Sequence, residues 1–447
     1  MPPDHLANSS APLHPQEPGA VIPTRQARRW IEPWYIAYAI LGALVSGVAV
    51  ILVPIIIVDN GGTATQIGTA IAMQNFGMLF APFWGWLSDR FKDYRAVFFG
   101  GFILLSAGFA LFALVQGPLA WHLAAFLIGF GAGASNTVAG LFVVEFTPQE
   151  EWSQRISWLQ TFNAIGVILG TACAGQLRPR LGLAVSAFLA IPALVIGGWG
   201  LPVPGGKTQR RLKSVHFGQI ANLAQQIDPM ASSVMERFHQ FGPKDMKAVA
   251  RTLATPFGAL LSGWFLFSLA VASFSSLYPV LMRSQFHLGI RHSSLLLSAA
   301  TALSLPFYNL AGRWTASHGP VRVLSSGVAV RSVALAAIGL LGYFRVPFGV
   351  MPAMLLFAVF QGIWPQISVA SNNLAASLAP FGKGAAMGLF NASAAVASGM
   401  GAIAGGAMAD RFGYSSVSLL AAVVLAVAFL CTARLKAPCE QKTAQGQ

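Results

Sequence analysis

The stretch WGWLSDRFKDYRAV, from Trp84 to Val97, decides how the rest of the chain is read. Five of the seven residues from Asp89 to Arg95 are charged, whereas charged residues make up only 9% of the whole sequence. Apolar runs lie on both sides, each of about twenty residues, the length an α-helix needs to cross a hydrocarbon core. The stretch therefore reads as a tight turn in the headgroup layer between two membrane spans.

The bulk composition agrees. The 447 residues are 55% hydrophobic, with a mean hydropathy of +0.63. A soluble protein usually carries about 25% charged residues, so this chain lacks the ions to wet a globular surface. Inside lipid only helices and closed barrels satisfy their backbone polar groups. The long apolar runs lack strand-like alternation, which selects helices. The net charge of +14 points to membrane orientation and anionic lipid rather than nucleic acid. Cys173, Cys431 and Cys439 form no metal or redox spacing. No cleavable leader is visible before the first apolar run.

Twelve spans are expected: 34–58, 66–88, 96–115, 121–144, 154–175, 183–202, 256–280, 293–311, 321–343, 349–373, 385–407 and 415–434. The predicted organisation is a cytoplasmic tail (1–33), a six-helix half (34–202), a central cytoplasmic loop (203–255), a second six-helix half (256–434) and a tail (435–447). With both termini in the cytoplasm, the inner segments hold 21 Lys and Arg and the outer loops hold 6. That asymmetry obeys the positive-inside rule. In the central loop, Val215, Ile220, Leu223 and Ile227 recur at helical spacing after a basic cluster. It reads either as a surface amphipathic helix or as a tether.

Within the charged turn, Gly85 is expected to let two helices approach closely. Asp89 can accept hydrogen bonds from a neighbouring helix N-terminus. GWLSDRFKDYR resembles the loop motif of the major facilitator superfamily, roughly G-x-L-x-D-R-x-G-R-K/R. Gly85, Leu87, Asp89 and Arg90 match in register, while Lys92 and Asp93 depart from it. The resemblance implies an all-α polytopic fold of two pseudo-symmetric six-helix halves and a transporter's alternating access. It also implies a gating latch in which Asp89 is partnered by Arg90 or Arg95. The alternative is a topological anchor without a gating role. Internal echoes fit two repeats. At an offset of 231, Gly170 falls on Gly401, Gly175 on Gly406 and Arg180 on Arg411.

Substrate sites in this fold lie near the midplane between the halves, where a polar side chain needs a cavity or a partner helix. The candidates are Asn136 in span four, Gln160 and Asn163 in span five, Gln361, Trp364 and Gln366 around Pro365 in span ten, and Asn391 in span eleven. Gln74 and Asn75 in span two, with Ser268 and Ser273 in span seven, are further polar groups. The glycines of span five, Gly166, Gly170 and Gly175, partly match a pattern of the family's drug–proton antiporters; helix packing explains them equally well.

No acid falls near a midplane, and Ala125 stands where the resemblance leads one to expect an antiporter arginine. Glu145 and Asp59, at span ends, are the coupling candidates; capping and solvation are their plain alternatives. Arg331, some ten residues into span nine, either offers charge to an anion or snorkels to the interface. His122 and His318 read as interfacial. No nucleophile–base pair, metal cluster or phosphate-binding glycine loop has catalytic spacing, so neither an enzyme nor a cofactor is expected. The sequence reads as a monomeric inner-membrane secondary transporter of a small neutral or amphipathic organic solute. Efflux is favoured over uptake, and coupling is either to protons or absent, which makes the protein an uncoupled facilitator. A non-transporting scaffold or binding protein of the same fold is the rival.

Overall fold

A computed structural model describes residues 31–91, 93–147, 151–200, 255–378 and 383–435. The expected helix within the central loop and both tails lie outside the described residues.

The N-terminal half begins with α1 (Tyr35–Asp59), whose middle, Ala43–Val48, is wound as a π-helix. Then come α2 (Ala64–Met78), α3 (Ala81–Phe91), α4 (Tyr94–Leu114), α5 (Pro118–Phe146), α6 (Trp152–Ala174) and α7 (Pro179–Gly200). The C-terminal half holds α8 (Pro256–Ser275), α9 (Tyr278–Phe286), α10 (Ile290–Ser304), α11 (Phe307–His318), α12 (Pro320–Tyr343), α13 (Val350–Gly362), α14 (Trp364–Ser377), α15 (Lys383–Phe412) and α16 (Tyr414–Ala433). Among the described residues, ten helices are long and apolar enough to cross a membrane.

The expected spans two, seven, eight and ten are not single α-helices, and proline gives the reason. Its ring lacks the N–H donor and collides with the carbonyl four residues earlier. Pro82 faces the carbonyl of Met78, and α2 ends at Met78. Pro279 faces that of Ser275, and α8 ends at Ser275. Pro306 separates α10 from α11, and Pro365 lies in the first turn of α14. The charged turn caps its own following helix: Asp93 accepts from the Ala96 amide at 3.0 Å, satisfying an orphan donor of α4.

Gly85 does not play the role expected of it. A Cβ there would meet only Thr137, at an ordinary 3.7 Å. The close approach to α5 is made by α2 instead, where a Cβ on Gly77 would collide with the backbone at Phe126 and one on Gly129 with that of Gln74. On α3 the Trp84 side chain fills the contact with α5, its indole N–H donating to the Phe130 carbonyl at 3.1 Å, and residue 85 has room.

The helix ends define two ends of the bundle. One carries Asp59 and the chain from Asn60 to Thr63; the other carries Asp89 and the turn before Tyr94. The two halves meet along α2 with α15 and α6 with α10.

Candidate substrate cavity

Glycine sets how the halves close. In α6, a Cβ on Gly170 would collide with the Ala43 backbone of α1; in α15, one on Gly401 would collide with the Leu269 backbone of α8. These are matching contacts in the two repeats. Nearer the Asp59 end the same two helices cross to the opposite half. Gly175 abuts Arg291 and Ser294 of α10, and Gly406 abuts Ala64 and Thr65 of α2. Small residues are what allow such approaches in a membrane.

Polar contacts fasten this end. Asp410, at the end of α15, accepts from the Ala64 and Thr65 amides at 2.9 and 2.8 Å. These amides open α2, where partial positive charge favours an anion. Thr63 and Gln66 complete a capping box beside them. Asp59 pairs with Arg283 at 2.7 Å, and the Ser298 hydroxyl donates to the Ile168 carbonyl at 2.8 Å. These contacts between the halves all lie toward the Asp59 end.

Beyond this seam lies a cavity of about 460 Å³. Its wall comes from α1, α2, α5 and α6 of one half, with Ala272, Ser275 and Ser276 contributed by the other. Tyr38, Gln74, Asn75, Asn136, Gln160 and Asn163 supply its polar surface, and no lining residue is charged. The Tyr38 hydroxyl donates to Asn136 Oδ1 at 2.9 Å and lies within hydrogen-bonding reach of Gln160. Asn75 donates to the Ile71 carbonyl of its own helix at 3.0 Å. Each amide offers both donors and acceptors, so the wall can hold a polar solute in more than one pose.

The structure thus brings Asn136, Gln160 and Asn163 together, joined by Gln74 and Asn75. Gln361, Trp364, Gln366 and Asn391 do not line this cavity. Gln366 is buried and borders a second cavity of about 470 Å³ between α11, α12 and the start of α14. Asn391 is exposed on α15. Tyr38 and Ser46 are cavity residues that sequence reasoning missed. Their visible signal is a pair of hydroxyls in a first span that is otherwise mostly apolar.

Trp364 belongs to an aromatic cluster in the C-terminal half. Trp264 stacks on Phe390 at 4.6 Å and on Phe267 at 5.0 Å, and Trp364 lies nearly parallel to Phe267 at 6.3 Å. Arg331 points into this cluster. Its guanidinium carbon lies 4.2 Å from the Phe360 ring centre, 5.3 Å from Trp364 and 5.6 Å from Phe267. The residue is 2% exposed, so it does not snorkel. The faces of the rings attract the cation and hold it inside the bundle.

Among the coupling candidates, Asp59 is tied to Arg283 and partly exposed. Glu145 lies in the last turn of α5 and Asp89 in that of α3; the side chains of both are outside the described residues, as is any latch built on Asp89. Arg90 lies 5.4 Å from the Trp86 ring centre, and Arg95 lies 6.0 Å from that of Phe99.

The sequence profile described as Major Facilitator Superfamily matches residues 34–289 and 260–446. A multi-drug resistance efflux pump PmrA homolog of Lactococcus lactis subsp. lactis (strain IL1403) is 27% identical over 120 residues, which cover 27% of each chain. A second such homolog, from Lactococcus lactis subsp. cremoris, is 29% identical over 85 residues, covering 19% of this chain and 65% of that one. The matches therefore span only part of either relative. Among solved structures, a bacterial homolog of the human lysosomal transporter Spinster, inward-facing and occupied, superposes with a TM-score of 0.67 at 12% identity. The superposition covers 90% of this chain and 94% of that one. A D-xylose-proton symporter gives 0.65 at 14% identity, with 90% and 96% covered. At such identities the likeness is one of fold.

Proposed function

The chain belongs to the major facilitator superfamily, and from that membership we propose a secondary transporter that moves a small amphipathic organic solute by alternating access, in the direction of efflux. The observation that carries this reading is the pairing of an amide-lined cavity between the halves with a seam that closes its Asp59 end. A transporter needs a site that one end of the molecule can seal while the other admits solute. Residues 34–202 and 256–434 are the two moving units, joined through 203–255. The bias of Lys and Arg puts the Asp89 end in the cytoplasm, so the closed Asp59 end is the outer one and the conformer faces inward. Likeness to stretches of multidrug efflux pump homologs favours export.

Protons, if they drive the cycle, act at the seam. Protonating Asp59 or Asp410 removes the charge that holds Arg283 or the α2 amides, and so loosens the closed end. The test is transport in proteoliposomes with an imposed pH gradient, using a set of amphipathic drugs and metabolites as solutes. Movement of at least one solute, reduced by Asn136→Ala and Asn163→Ala at unchanged protein abundance, is the expected result. Failure to move any, together with a stably co-purifying protein partner, supports the scaffold reading instead.

A further inference from the structure

Arg331 stands at the twelfth of the 24 residues of α12, about 17 Å along the helix at 1.5 Å per residue. That depth keeps it out of reach of lipid headgroups at either helix end. Among the described residues no acid sits at comparable depth: Asp59, Asp89, Glu145 and Asp410 all occupy the last turns of their helices. Among the described residues the guanidinium has no ion pair, and its Nε has no hydrogen-bond partner. An arginine brings five N–H donors in a planar fork, and ring faces accept the charge without answering those donors. A cation buried without a counterion is costly inside a membrane protein. Other polar atoms nearby are also unsatisfied. The Trp264 indole N–H and Gln366 Oε1 are buried without partners.

The rings around Arg331 are not equally buried. Phe267 and Phe360 are buried, at 2% and 1% exposure, while Trp364 and Tyr308 are partly exposed. Tyr308 lies within hydrogen-bonding reach of the Trp364 indole and close enough to Arg331 to feel its charge. Trp364 begins α14, directly after the break at Ile363. The Ile363 amide still donates to the Val359 carbonyl at 3.1 Å, so the ring stands at a bend in an otherwise continuous path.

We infer that the C-terminal half supplies the charged counterpart to the amide cavity: Arg331, buried beneath the partly exposed Trp364 ring, binds the carboxylate of a flat, apolar organic anion once that ring swings aside. The inference rests on the transport reading above and names the substrate class for it. The carboxylate takes the bidentate hydrogen bonds that the rings leave unmade, and the apolar body stacks against Trp364. The amides of the other half hold the remaining polar groups.

The test uses the purified full-length chain in nanodiscs and matched probes: naphthalene-2-carboxylate against naphthalene-2-carboxamide, and indole-3-acetate against indole-3-acetamide. Thermal unfolding is followed against probe concentration, since a ligand of the native state raises apparent stability. The acids are expected to raise the midpoint at concentrations at least tenfold below their amides. Arg331→Gln is expected to abolish that preference, and Arg331→Lys to keep part of it by retaining the charge without the planar fork. Equal responses to acid and amide in the unaltered protein overturn the inference without any variant having to fold. Retention of the acid preference in Arg331→Gln overturns it too. If the equal responses vanish in Asn136→Ala with Asn163→Ala, the anion inference fails and the cavity reading stands. An acid preference lost in Arg331→Gln but untouched by the cavity substitutions supports the arginine site and contradicts the cavity reading. No response to either member of either pair contradicts both.

Discussion

Tyr38 and Asn136 show what a single hydrogen bond does at the cavity wall. The phenol proton satisfies Asn136 Oδ1 and fixes the amide's orientation, so its NH₂ group is left for solute. In Tyr38→Phe the carbonyl loses its donor and the amide is free to turn. A net hydrogen bond contributes about 1 kcal/mol, so apparent solute affinity should fall roughly fivefold. The thermal midpoint of the unliganded protein should change little; a ligand titration alongside an unfolding scan separates the two effects. Asp59 and Arg283 are a contrasting case. Their ion pair is partly exposed, and such pairs contribute only about 0.2–1 kcal/mol. Asp59→Asn should therefore shift the balance between closed and open forms no more than about fivefold, as read by distances between spin labels placed on the two halves.

Two glycines about two to three turns apart along the contact face of α5 give opposite predictions. Gly129 is pressed against the Gln74 backbone, whereas Gly85 has open space before Thr137. Gly129→Ala should destabilise by about 1–3 kcal/mol, the usual result of overpacking, and lower the thermal midpoint and folded yield. Gly85→Ala should be neutral or slightly stabilising, because alanine restricts the unfolded chain. Sequence reasoning assigned the close approach to Gly85 because motifs identify residue types and not the distance between helix axes. It was more successful with helix existence: composition and run length placed the apolar segments, since the hydrocarbon core imposes one length on all of them. The breaks were less legible. Pro82 and Pro279 interrupt their helices, but Pro54 and Pro192 lie inside continuous ones. Only the surrounding packing decides which carbonyls can be left without a donor. The candidate site divides the same way. Asn136, Gln160 and Asn163 follow from the rule that midplane amides need a cavity, whereas the destination of Arg331 depends on three rings from α8, α13 and α14 that no local pattern brings together.

At the scale of the whole molecule, the halves are held by Asp410 on the α2 amides and by glycine seams that recur at the repeat offset. Asp410 is partly exposed, and an anion at a helix N-terminus contributes about 0.3–1 kcal/mol. Asp410→Asn should thus raise the open population by a few-fold without unfolding the protein. Acidification that protonates Asp410 should act in the same direction, because the seam needs its carboxylate. The central claim, that one cavity is reached from alternate ends, is tested most directly at Ser46, an exposed residue of the cavity wall. Ser46→Cys in a background lacking Cys173, Cys431 and Cys439 would be exposed to a membrane-impermeant thiol reagent in inside-out and right-side-out vesicles. The account predicts labelling mainly from the cytoplasmic face, and several-fold more labelling from the outside once Asp410→Asn is added. Equal labelling from both faces, or an outside rate that Asp410→Asn leaves unchanged, would contradict it.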